Sequence, residues 1–228
     1  MNHQQKIRNE LWRADMYRLL AMSFDTPSEN NLMNLDGLLT DFNTLEFHHS
    51  FLKEFHSLHD TIKREKKELA QEYNRLFITQ SECPASEGSY HLAERGPILG
   101  DVTGFYRAFR IMFHPESGPP DSMKMELGFM HYLALKKVYA LENNLTEAFQ
   151  TTEDAERKFL NDHLGRWAVL FADRLHETTC HPFYKMLGSL LTRWIREECD
   201  HFQIFPVPLP RSLLPAENEN CIRCAARQ

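Results

Sequence analysis

Apolar residues recur along this chain at steps of three and four, the period of a helix with one buried face. Ile7, Leu11, Met16, Leu19 and Leu20 line one side of a run from Gln5 to Phe24, and Lys6, Arg8, Arg13 and Arg18 supply its wetted side. Asp25-Thr26-Pro27-Ser28 stops that helix, and Ser28 caps the next, which carries Leu32, Leu35, Leu38 and Leu39. One or two helices follow between Phe42 and Ile62, through Leu45, Phe51, Leu52, Phe55 and Leu58. The charged run from Lys63 to Glu68 reads as a solvated helix face. The apolar pattern resumes at Leu69 and leads into Tyr73, Leu76 and Phe77.

Residues 79–100 hold Pro84, Gly88, Gly96, Pro97 and Gly100 and read as loop. A loop of about twenty residues inside a compact domain is unusual and more often functional than not. Asp101 then caps a helix with Val102, Phe105, Tyr106, Phe109 and Met112 on one face. His114 to Pro120 breaks the chain again, and Asp121 to Asn143 is the clearest helix, through Met123, Leu127, Met130, Ala134, Val138 and Leu141. Ala155 to Thr178 continues with Leu160, Leu164, Trp167, Phe171 and Leu175. His181-Pro182 opens the last helix, which carries Phe183, Met186, Leu187, Leu190, Leu191, Trp194 and Ile195.

After Phe202 the periodicity stops, Pro206 to Pro210 reads as extended, and the rest is a polar tail. No segment alternates with period two. The expectation is an all-α, single-domain bundle of about eight to ten helices over residues 1–202, then an extended polar tail over 203–228.

Charge and composition change this picture little. The net charge is −6 with both signs mixed along the chain. No basic stripe suggests a nucleic-acid groove. The first residues lack the apolar core and small-residue cleavage site of a secretory signal. No stretch approaches the ~18 apolar residues that cross a bilayer. Five cysteines read as free thiols in a reducing compartment. Together these predict a cytoplasmic protein that neither inserts into a membrane nor binds nucleic acid.

Candidate chemistry is sparse. Glu46/His49 and Glu198/His201 have the Glu-x-x-His spacing of di-iron bundles. Pairs at this spacing arise by chance in a chain rich in Glu and His, and the two further glutamates such a site needs cannot be picked out. They define the alternative of a helical metal-dependent enzyme. Cys221-Ile222-Arg223-Cys224 is a single Cys-x-x-Cys with no second pair, which a structural zinc site commonly needs. No Gly-x-Ser-x-Gly elbow, Walker loop or Gly-x-Gly-x-x-Gly occurs, so catalysis and a bound cofactor have little support.

The helix–loop–helix formed by Tyr73–Phe77, Pro84–Tyr90 and Asp121–Met130 does hold the parts of a peptide groove. Its aromatic and Leu side chains make apolar walls. Exposed carboxylates at Asp121 and Glu126, with Glu72, would pair with ligand arginines. By residue type, Leu76, Phe77 and Phe129 belong more often to a core, and Asp121 suits an N-cap equally well. A further alternative is a general helical adaptor in which Pro206–Pro210 docks as a short extended ligand.

Four pieces in order carry a resemblance. They are Glu72-Tyr73-Asn74-Arg75-Leu76-Phe77; the loop ending Ser89-Tyr90, then Gly100-Asp101-Val102-Thr103 and Tyr106; Pro120-Asp121-Ser122-Met123-Lys124-Met125-Glu126-Leu127-Gly128-Phe129-Met130; and Phe159 to Leu164 with Trp167, Phe171 and His181-Pro182-Phe183-Tyr184. The chain resembles the TorD/DmsD/NarJ-type redox-enzyme maturation chaperones, most closely the TorD/DmsD branch, from about residue 10 to residue 202. It departs from them in having Ser122 where the family often has His, and one proline in Cys83-Pro84-Ala85-Ser86 where the family often has two.

The resemblance implies an all-helical domain without catalysis or a cofactor of its own. Its partner would be the catalytic subunit of a molybdenum-cofactor oxidoreductase, bound through its twin-arginine leader, and in some members also through its body, and held in the cytoplasm until the cofactor is inserted. The implied peptide-binding residues are Glu72, Tyr73, Leu76, Phe77, Pro84, Ser89, Tyr90, Gly100, Asp121 and Glu126. The sequence leaves open which oxidoreductase is the client and whether two copies pair as a homodimer by exchanging helices.

Overall fold

The computed structural model describes residues 2–44, 49–91, 94–112 and 118–210. Its helices are α1 His3–Ser23, α2 Glu29–Thr44, α3 Leu52–Arg64, α4 Lys66–Tyr73, α5 Arg95–Ala108, α6 Met123–Glu142, α7 Thr146–Phe159, α8 Gly165–Thr178 and α9 Pro182–Phe202. A wide π turn, Asn74–Thr79, prolongs α4, and a second, Leu160–Leu164, joins α7 to α8. Among the described residues the sole β contact is an isolated bridge between Ser86 and Ser122. The all-α expectation is met.

The helix ends follow from local chemistry. The Asn2 side chain accepts the Gln5 N–H at 2.8 Å, Ser28 Oγ accepts that of Asn31 at 3.2 Å, and His181 Nδ1 accepts that of Phe183 at 3.3 Å. Each satisfies a donor that a helix start leaves unpaired. Helix α1 lies along α6, α8 along α9, and α3 bridges α2 and α9. Between them sits one apolar core containing Tyr17, Leu20, Leu127, Met130, Trp167, Phe171, Leu187 and Trp194. Burying side chains of this size contributes roughly 1.5–3 kcal/mol each.

Three departures from the apolar pattern have physical causes. Helix α5 starts at Arg95 rather than Asp101, because Pro97 falls in the first turn, where a missing N–H costs nothing. The loop is correspondingly shorter and holds a 3₁₀ turn at Glu87–Tyr90. Helix α7 starts at Thr146 rather than Ala155, because its buried face is carried by Thr152, Glu156 and Phe159, of which only the last is apolar. Arg13, expected on the wetted side of α1, is only 4% exposed.

Arg13 is the hub of a buried ion network. Its Nη1 lies 2.7 Å from Glu10, and its Nη2 lies 2.8 Å from Glu156 and 2.5 Å from Glu198. Lys137 from α6 approaches Glu156 at 2.6 Å and Glu10 at 3.0 Å. The Tyr17 hydroxyl donates to Glu198 at 2.8 Å. Burial pushes the Glu198 carboxyl upward, but Arg13 outweighs it and holds the group below the usual carboxylate range. Glu198 is thus committed to Arg13 and Tyr17, which corrects its reading as one half of a metal-binding pair. Among the described residues no cluster of three or more His, Cys, Asp or Glu is placed to hold a metal ion. Glu46 and the His49 side chain lie outside the described residues.

Cys83 and Cys199 are free, and burial pushes the Cys83 thiol up to about 12. No described helix is long and apolar enough to cross a membrane. Beyond α9, residues 204–210 form no helix or strand and lie against the start of α8. The Leu209 N–H donates to the Arg166 carbonyl at 3.1 Å, and Arg166 Nε donates to the Val207 carbonyl at 3.1 Å. A Cβ at Gly165 would stand 2.7 Å from Pro206 Cγ, so glycine permits this close approach. The Cys221-x-x-Cys224 tail lies outside the described residues.

Candidate functional site

The loop after the first π turn is fastened to the start of α6. Met123 N–H donates to the Ala85 carbonyl at 2.9 Å, and Glu87 N–H to the Asp121 carbonyl at 2.8 Å. The Asp121 carboxylate accepts the Gly88 N–H at 3.0 Å and faces Arg95 Nη2 at 3.1 Å. Ser122, not Asp121, is the N-cap residue of α6. Asp121 organises the loop instead, and Tyr90 turns inward against Trp167 with ring centroids 5.4 Å apart.

Beneath the loop lies a cluster of buried polar groups. Glu87 is bracketed by His91 Nε2 at 3.1 Å and His163 Nδ1 at 3.0 Å. His163 sits in the second π turn, a local widening that often accompanies function, and its Nε2 lies 3.3 Å from Asp101. Trp167 Nε1 donates to Glu126 Oε2 at 2.9 Å. Burial, then the charge of Glu87 and that of Asp121, hold the Glu126 carboxyl well above the usual range, against the pull of the Trp167 bond.

The sign of that shift sets a pH dependence. The folded chain keeps the Glu126 proton where the unfolded chain has lost it. Its contribution to stability therefore declines as pH rises from the ordinary carboxylate range toward the raised folded value. Glu126→Gln, which retains an acceptor for Trp167, is expected to raise stability at neutral pH and flatten this slope. Denaturant unfolding at about pH 5 and about pH 8 checks it.

The expected site residues divide into two groups. Glu72, Tyr73, Leu76 and Phe77 pack near the end of α8 and the start of α9. Tyr73 and Leu76 are core, and Phe77 contacts Phe24, Phe171 and Tyr184. Glu72 is engaged by Arg75 at 2.7 Å and by the Thr179 hydroxyl. Tyr90, Asp121 and Glu126 gather under the loop, with Pro84 half-buried at its start. Ser89 is exposed and hydrogen-bonded to Ser86 at 2.9 Å; Gly100 is exposed on α5 with open space around it. Asp121 and Glu126 were expected to be exposed; both are 0% exposed, because the loop and Trp167 cover them.

An open cleft of about 670 Å³ lies between the loop, α5 and the second π turn. Its carboxylates are Glu87 on the floor and Asp101 and Asp162 at the rim; Pro97, Ile98 and Val207 are apolar walls. The Asp101 side chain is 67% exposed, and Asp162 also pairs with Lys158. Of these residues the sequence named Asp101, as a helix cap and within the second resembling piece, but it lies inside α5 rather than at its cap. The available signals were the Glu87/His91 spacing of four and the Asp162-His163 step inside the fourth resembling piece. A second cleft, about 560 Å³, between α8 and α9 is lined by both signs, among them His176, Arg193, Arg196, Glu197 and Asp200.

No curated protein matches the chain. A solved structure from Archaeoglobus fulgidus, of a protein assigned to redox enzyme maturation, matches with a TM-score of 0.56 at 18% identity, over 80% of this chain and 93% of that one. At that identity the likeness concerns the fold. The sequence model described as nitrate reductase delta subunit matches residues 46–173, and with more than half of its length so matched the chain belongs to that family.

Proposed function

We propose that this protein is a cytoplasmic maturation chaperone of the TorD/DmsD branch for the catalytic subunit of a molybdenum-cofactor oxidoreductase. It binds that subunit's twin-arginine leader in the cleft between the loop, α5 and the second π turn. Family membership supports a maturation role, which calls for binding and release rather than catalysis. The observation that carries the leader reading is the cleft itself, with carboxylates at Asp101, Asp162 and Glu87 beside Pro97, Ile98 and Val207. A ligand with paired guanidinium groups next to an apolar stretch complements both halves.

The expected strength follows from size. Burying roughly several hundred Å² of apolar surface at roughly 25 cal/mol per Å² gives micromolar affinity after association costs. Release is part of the cycle, so tighter binding would be a disadvantage. Guanidinium groups meet carboxylates through a planar fork, which an ammonium lacks. Calorimetric titration with a synthetic peptide bearing Arg-Arg before an apolar stretch is expected to give micromolar binding, weakened by about tenfold for a Lys-Lys control. Equal affinity for the two peptides, or none for either, would overturn the leader reading.

A further inference from the structure

Asp121 is wholly buried, and among the described residues its carboxylate has two partners, the Gly88 N–H and Arg95. The Arg95 side chain is 49% exposed and reaches in from the surface. Its contact is loose. Among the described residues Nη2 alone donates, to Asp121 Oδ1 at 3.3 Å, to Oδ2 at 3.1 Å and to Ser86 Oγ at 3.1 Å. Charge-assisted N–H···O bonds ordinarily run about 2.7–2.9 Å and favour a two-nitrogen fork.

Other arginines of the same chain do form such forks. Arg75 holds Glu72 through Nε at 2.8 Å and Nη2 at 2.7 Å, and Arg13 holds Glu198 through Nε at 2.8 Å and Nη2 at 2.5 Å. Arg95 therefore fills the space over Asp121 without the two-nitrogen fork that Arg13 and Arg75 make.

The space itself is shaped for a planar cation. A Cβ on Gly88 would stand 2.6 Å from Arg95 Nε and 2.9 Å from Asp121 Oδ2, so the bare glycine backbone makes room for the guanidinium. Left without a cation, the buried Asp121 charge would keep only one N–H donor, a costly state. Free protein thus needs something in this place. The loop that builds it also builds the cleft: Ser86 and Gly88 face the socket, while Glu87 and His91 face the cleft.

We propose that Arg95 is an internal placeholder in an arginine socket on Asp121, and that a guanidinium of a bound peptide displaces it. The identity of that peptide rests on the leader reading above. One arginine of a pair would meet the cleft rim and its neighbour the socket. Arg95 then sets affinity by competition: it keeps Asp121 neutralised in the free protein and resists binding by the amount its own contact is worth.

Two titrations test this, each on the full chain. In the first, Arg95→Ala is titrated with N-acetyl-arginine amide and with N-acetyl-lysine amide, followed by amide NMR shifts of the loop. Arg95→Gln, which keeps part of the stem and a neutral donor, replaces it if the alanine variant does not fold. The expected result is selective binding of the arginine compound by the variant, at least about tenfold tighter than by wild type, and its loss in Arg95→Ala/Asp121→Asn. No selectivity for arginine, or selectivity that survives Asp121→Asn, overturns the socket. In the second, the Arg-Arg leader peptide is expected to bind Arg95→Ala about tenfold more tightly than wild type. Equal or weaker binding to a folded variant overturns displacement while leaving leader binding intact. Binding of the arginine compound with no leader binding to either chain leaves the socket standing and removes the leader reading.

Discussion

Arg13→Met is expected to cost about 3–5 kcal/mol of unfolding free energy, because it strands buried carboxylates without their cation. Glu156 and Glu198 are 0% and 3% exposed, so neither can recover its hydration by a small movement. Lys137 still reaches Glu156 at 2.6 Å, but Glu198 keeps only the Tyr17 hydroxyl at 2.8 Å among the bonds described. Chemical denaturation at neutral pH measures the loss through the midpoint. Arg8→Met, on the exposed side of the same helix, is the control, with an expected change within about 0.5 kcal/mol. A similar small change for Arg13→Met would mean that the network contributes little to the folded state. Removing Glu198 together with Arg13, as Arg13→Met/Glu198→Gln, should restore part of the loss, since the two share one interaction.

The second large effect concerns binding. Asp101→Asn with Asp162→Asn is expected to weaken the Arg-Arg leader peptide by about tenfold or more, the equivalent of two partly exposed ion pairs at somewhat under 1 kcal/mol each. Both positions are on the surface, so the fold should survive. Unchanged circular dichroism and midpoint establish that. The Lys-Lys control should lose less, because its ammonium groups depend less on geometry. A double variant that binds the leader as wild type does would remove the electrostatic half of the cleft assignment. Raising the salt concentration should weaken wild-type binding and have little effect on the variant.

Much of the architecture was legible because apolar spacing records which helix face is buried. Leu127, Met130, Trp167, Phe171, Leu187 and Leu191 all lie in the core where their spacing indicated. The same signal failed wherever a polar residue does the burying. Arg13 looks like a solvated side chain until α7 and α9 bring Glu156 and Glu198 against it, and the start of α7 is invisible because Thr152 and Glu156 stand where apolar residues would mark the face. Pro97 reads as a loop breaker although it occupies a first helical turn.

The site was legible to a different degree. Local sequence pointed to the loop and to Asp121, Glu126 and Tyr90, which the fold does gather. It did not show that the carboxylates of Asp121 and Glu126 face inward, because that depends on the Ser86–Ser122 bridge and on Trp167 arriving from another helix. Nor could it join Glu87 to His163 across 76 positions of sequence. Such pairings are set by packing, and no periodicity reports them.

A leader docked at the cleft formed by the loop, α5 and the second π turn would shield the backbone amides there. Hydrogen–deuterium exchange of the full chain with and without saturating Arg-Arg peptide tests it most directly. Slowed exchange is expected in residues 86–91, 95–102 and 160–167, and none attributable to the groove between α8 and α9. Protection confined to residues 172–200, with the loop unchanged, would contradict it.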